Sequence, residues 1–108
     1  MHRTGLSWAA ASLAAALSTA PAAAQTGPDT LYLRSLAATC ANCHGTDGAA
    51  APGGPMYRLA GLKAEFITEQ LQAFRDGKRP ATVMHQLAKG YSDEQIAALA
   101  AYFAAQAK

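Results

Sequence analysis

Apolar residues recur in three stretches at helical spacing, and the intervals between them are rich in glycine and proline. In the first stretch, Leu33, Leu36 and Ala37 share one face of a helix that starts near Asp29 or Thr30, either of which can cap its free N–H groups. In the second, Ile67, Leu71 and Phe74 recur at i, i+4 and i+7 with Phe66 beside them, which predicts a helix over residues 63–76. Glu65 and Glu69 suit its N-terminal half, Arg75 its end, and Gly77 the position just beyond it. The third is the clearest: Ser92 and Gln95 read as a capping box, and Ile96, Leu99, Ala100 and Phe103 mark a buried face. A shorter helical turn fits residues 81–89, between Pro80 and Gly90. No segment alternates with the period of a strand, so the pattern predicts an all-α fold of short helices.

The apolar start of the chain belongs to a different category. His2 and Arg3 precede an apolar run over residues 5–17, and Ala22 and Ala24 offer small residues for cleavage before Gln25. Residues 1–24 therefore read as a cleaved signal peptide. The run is too short for a membrane span of about 20 apolar residues, and Pro21 ends it. Residues 25–108 are left as one small domain. A domain this small buries a modest share of its surface and often needs a staple.

Charge narrows the function little. The domain carries eight basic and seven acidic residues. No basic stripe points to nucleic acid and no like-charge block to a tail. Residues 45–61 hold five glycines and two prolines, which predicts a loop with tight turns. No phosphate-cradling fingerprint lies within it.

The chemistry is carried by Cys40-Ala41-Asn42-Cys43-His44, a C-x-x-C-H motif that reads as covalent haem attachment. Two cysteines three positions apart can each form a thioether to one vinyl group of a single porphyrin, and the next residue, His44, is thereby held under the iron. The rival chemistries fit less well. A thioredoxin-like dithiol needs a βαβ setting. Structural zinc needs four ligands, and the domain has only one further histidine, His85. A plain disulfide leaves His44 without a role. Met56, Met84 and His85 are the candidates for the sixth iron position. Met56 follows His44 through a short Gly/Pro loop on the histidine side, whereas Met84 lies forty residues on, past a full helix, with enough chain to cross to the opposite face. Met84 is favoured. A thioether is a weak, soft donor that favours ferrous iron, so His/Met ligation suits electron transfer. The other nitrogen of His44 needs an acceptor, for which the Pro55 carbonyl is the candidate. Tyr57, Arg58 and Arg79 are candidate partners for haem propionates.

Taken together, Cys40 to His44, the Gly-Pro turn followed by Leu59-Ala60-Gly61, Met84, and a final helix with Tyr102-Phe103 resemble class I cytochrome c over nearly the whole domain. The resemblance implies short helices packed around one covalent haem c, with the first and last helices crossed so that Leu33 and Ala37 meet Leu99 and Phe103. Residues 74–103 further resemble the cytochrome subunit of flavocytochrome c sulfide dehydrogenase, although better-known members of that type carry two haem domains and this chain has one motif. That resemblance implies a periplasmic electron carrier, not itself an enzyme, that accepts electrons from a redox partner such as a flavoprotein subunit. The competing expectation is a haem enzyme or ligand-binding sensor with an open sixth position.

Overall fold

In the computed structural model, which describes residues 28–108, the three periodic stretches form α1 (Pro28–Ala38), α3 (Ala64–Arg75) and α5 (Asp93–Ala104). Two short helices lie between them: α2 (Ala41–His44) follows α1 after a two-residue turn, and α4 (Met84–Ala88) sits between α3 and α5. A 3-10 turn spans Thr46–Gly48. Among the described residues there is no strand, as the all-α expectation requires. The signal peptide expected over residues 1–24 lies outside the described residues.

The helix ends follow local chemistry. The Ser92 hydroxyl accepts from the Gln95 N–H at 3.2 Å while the Gln95 carbonyl oxygen Oε1 accepts from the Ser92 N–H at 3.0 Å, so both arms of the capping box form. At the end of α3 the Gly77 N–H donates to the Phe74 carbonyl and the Lys78 N–H to the Ala73 carbonyl, a Schellman motif that turns the chain out of the helix.

α1 and α3 both pack on α5, and α4 packs on α3. Ala37, Ile67, Leu99, Ala100 and Phe103 form the core where they meet. Phe103 is 2% exposed, and burying such a side chain contributes about 1.5–3 kcal/mol. One expected contact differs. Leu36, not Leu33, accompanies Ala37 against this core. Leu33 sits about a turn earlier on α1 and is half-buried in a groove beside Gln95 and Ala98. Arg75 and Asp93 join the end of α3 to the start of α5 at 2.7 Å, a solvent-screened pair that adds little to stability.

Two substitutions test the packing of α5. Phe103→Ala removes the largest fully buried side chain and is expected to cost about 3–5 kcal/mol. Ser92→Ala removes one cap bond and is expected to cost about 1 kcal/mol. Guanidinium unfolding curves of the two variants should rank in that order.

Candidate functional site

α1 stops at Ala38, and the chain turns through Thr39 and Cys40 before α2 begins. The turn is held at two points. The Thr39 hydroxyl donates to the Leu36 carbonyl at 2.7 Å and so has a lone pair free to accept from the Tyr91 hydroxyl at 2.8 Å. Cys40 is half-buried and Cys43 exposed, and both thiols are free. Burial pushes the Cys40 thiol up from its usual value, with the hydroxyls of Thr39 and Tyr91 opposing that shift.

His44 ends α2, and the carbonyl oxygen of Tyr57 lies 2.6 Å from its Nδ1. A carbonyl can only accept, so Nδ1 carries the proton and Nε2 keeps the lone pair that a metal needs. The acceptor expected in sequence, Pro55, is therefore corrected to Tyr57. The physical reason lies in the Gly48 carbonyl, which accepts from the N–H groups of Leu59 and Ala60 at 2.9 and 3.1 Å. Those bonds draw the chain just ahead of Leu59 alongside α2, while Pro55 stays on the exposed part of the loop.

Two glycines make this approach possible. Gly45 turns the chain directly after His44 with φ +80°, and a Cβ there would lie 2.8 Å from the backbone of Ala49. Gly48 has φ +74°, and a Cβ would lie 2.8 Å from both Leu59 Cβ and Phe103 Cδ1. Between them Asp47 adopts φ +53°, a conformation that few residues other than glycine tolerate. Its carboxylate accepts from the Tyr102 hydroxyl at 2.5 Å, which ties the turn to α5.

Of the candidates for a second iron ligand, Met84 and His85 are neighbours in α4 and Met56 lies apart. Met84 opens α4 and is half-buried. Met56 is 46% exposed, out on the loop. His85 is half-buried, and its Nδ1 is buried with no hydrogen-bond partner in the protein. Of the candidate propionate partners, Arg58 is committed elsewhere, donating to the carbonyls of Ala50 and Ala107. Arg79 donates to Gln70 Oε1 and lies over the Phe74 and Tyr57 rings.

These features fit a large, mostly apolar group with polar substituents. Two free thiols lie one turn apart beside a histidine whose outward nitrogen is available. The buried Nδ1 of His85 lacks a protein partner. Among the described residues five of the nine buried apolar ones are alanine, while Met56, Tyr57, Phe66, Val83 and Leu87 are each 46–75% exposed. The chain alone leaves bulky apolar side chains uncovered and has little bulk in its core. Among the described residues no group of three or more His, Cys, Asp or Glu side chains converges as a metal site, so the zinc alternative finds no ligand set there.

Comparison with known proteins accords with this chemistry. The family model described as cytochrome C oxidase, cbb3-type, subunit III matches residues 22–103. The chain belongs to this cytochrome c family. It carries covalent haem c and is an electron-transfer protein. This cytochrome is 43% identical over 72 residues to cytochrome c-554(548) of Halomonas halodenitrificans, covering 63% of this chain and 84% of that protein. It is 43% identical over 68 residues to the cytochrome subunit of sulfide dehydrogenase of Chlorobaculum tepidum, covering 63% of this chain and 60% of that one. It is 43% identical over 67 residues to the thiosulfate dehydrogenase electron acceptor of Thiomonas intermedia, covering 62% of this chain but only 31% of that longer protein. The match thus spans less than two thirds of the length of the latter two relatives.

Two outcomes follow for the site. Gly48→Ala forces both a left-handed backbone and a clash with Phe103, so the haem-loaded protein should lose about 2–4 kcal/mol in denaturant unfolding. The Tyr102 phenol is held above its usual value of about 10, first by its hydrogen bond to Asp47 and then by burial. Folding therefore favours the protonated phenol. That contribution is complete below about pH 10 and is lost as pH rises through the higher folded value. Tyr102→Phe should remove this alkaline component from the stability–pH curve.

Proposed function

We propose that this cytochrome is a periplasmic one-electron carrier in which Cys40 and Cys43 hold the haem by thioethers and His44 and Met84 are its axial iron ligands. Residues 1–24 serve as the cleaved export signal and residues 25–108 as the haem domain. The bound haem supplies a ferric/ferrous couple that takes up and returns one electron. The observation that carries the reading is the Tyr57 carbonyl at 2.6 Å from His44 Nδ1, because it leaves Nε2 as the metal-facing nitrogen. Cys40 and Cys43 keep the cofactor from dissociating. Thr39, through Tyr91, holds the turn that presents them. Met84, half-buried at the head of a short helix, fills the sixth position with a soft donor that raises the potential and shuts out small ligands.

The electron donor in this proposal is a dehydrogenase of the sulfur-oxidising kind, most simply a flavoprotein subunit that oxidises sulfide. The names of two relatives support it, one a cytochrome subunit of sulfide dehydrogenase and one an electron acceptor of thiosulfate dehydrogenase. Export is supported by the apolar N-terminal run with its small-residue cleavage site. Among the described residues no helix is long and apolar enough to cross a membrane.

Absorption spectra of the exported protein test the ligation. The oxidised form should show a weak far-red band from a methionine–ferric iron bond, and the reduced form sharp c-type bands. Met84→Ala should abolish the far-red band, whereas Met56→Ala should leave it intact. A high-spin spectrum in the unsubstituted protein would transfer the weight to a haem enzyme or sensor with an open sixth position.

A further inference from the structure

Arg79 lies on the loop between α3 and α4, five residues before Met84. Its starting point is fixed by the end of α3, where the N–H groups of Lys78 and Arg79 both donate to the Ala73 carbonyl, at 2.8 and 3.1 Å. The guanidinium is half-buried and lies 4.6 Å from the centroid of the Phe74 ring and 5.9 Å from that of Tyr57. It donates to Gln70 Oε1. Among the described residues Arg79 takes part in no ion pair, unlike its neighbours Arg75 and Lys78. Its positive charge is met by two aromatic faces and an amide, contacts for which a flat, weakly hydrated guanidinium is suited.

Those contacts span the site. Phe74 belongs to α3, from which the Met84 loop departs. Tyr57 is the residue whose carbonyl fixes His44. A single side chain thus touches both the segment leading to one candidate axial ligand and the residue that orients the other. We propose that Arg79 is a positioning residue that locks the Met84 loop to the His44 side through the Phe74 and Tyr57 rings and so keeps the sixth iron position closed. The proposal rests on the His44/Met84 ligation argued above. Opening the loop to admit an outside ligand requires this contact to break, so weakening it exposes the iron without altering either ligand.

Imidazole binding to the ferric, haem-loaded protein reads that opening, since imidazole must displace Met84. Arg79→Gln should tighten apparent imidazole affinity by about three- to tenfold, the factor expected from losing one or two cation–aromatic contacts. Arg79→Lys, which keeps the charge but not the plane, should fall between. Tyr57→Ala keeps the backbone carbonyl and should also tighten binding, and the double variant Arg79→Gln/Tyr57→Ala should add little beyond the larger single effect. Tyr102→Phe, which loosens α5 on the other turn, should lower the thermal midpoint yet leave imidazole affinity unchanged. An unchanged affinity in Arg79→Gln, fully additive Arg79 and Tyr57 effects, or an equal gain in Tyr102→Phe would each overturn the proposal while the far-red band of the unsubstituted protein keeps the Met84 assignment intact. Absence of that band from the unsubstituted protein would bring down the Met84 assignment and this proposal with it.

Discussion

The Gly48 carbonyl accepts two backbone hydrogen bonds, from Leu59 and Ala60, and the arrangement of the site depends on them. They bring the returning loop against the turn that follows His44, which places the Tyr57 carbonyl on Nδ1. The same contact seats Gly48 against Phe103, the largest fully buried side chain, so the site shares a wall with the core of α5. Any Cβ at position 48 would collide with both neighbours. The backbone conformation of one residue therefore sets the tautomer of His44, four positions earlier. It does so through hydrogen bonds that do not depend on which side chains the loop carries.

The core explains why this chemistry and this fold occur together. Of the buried apolar residues among those described, only Ile67, Ile96, Leu99 and Phe103 are large, and the others are alanines. Alanine lets helices approach closely but contributes little transfer free energy, because that term scales with the apolar area removed from water. A domain of this size sits near the limit at which a protein-only core suffices. A covalent haem adds a large apolar plate that cannot be lost on transient unfolding. The exposed Met56, Phe66, Val83 and Leu87 supply apolar surface that the helices leave uncovered. Stability and cofactor retention become one problem, and the two cysteines serve both.

Most of the framework was legible in the sequence because helical periodicity and caps are local. The observed α3 lies within the expected span of residues 63–76, the capping box at Ser92 forms with both bonds, and the four residues expected on the inner face of α5 are all buried. What escaped was non-local. The choice of Leu36 over Leu33 depends on where α1 crosses α5, which spacing within α1 does not encode. A Gly-Pro turn is visible in sequence and points to the Pro55 carbonyl, whereas the paired bonds to the Gly48 carbonyl that bring Tyr57 to His44 are not. The Thr39–Tyr91 and Asp47–Tyr102 hydrogen bonds join residues more than fifty positions apart, and single polar side chains leave no periodic signal. The one clue lay in Asp47 itself, set between two glycines in a tight turn, where a short polar side chain can take a left-handed conformation.

The two sides of the haem site are held by different means, and that difference bears on electron transfer. His44 is fixed through a neighbouring carbonyl and two glycine turns, most of it backbone geometry. Met84 heads α4, five residues long, which packs on α3 and buries Ala88, while Val83 and Leu87 beside it are nearly half exposed. Ferric iron holds a thioether weakly, so in the proposed His44/Met84 ligation the sixth position depends on how firmly the segment carrying Met84 is held. A carrier gains from keeping its coordination the same in both oxidation states, because each change of ligand adds to the barrier for transfer. In that proposal the segment before Met84 supplies part of the restraint, through the Schellman turn out of α3 and the half-buried guanidinium of Arg79.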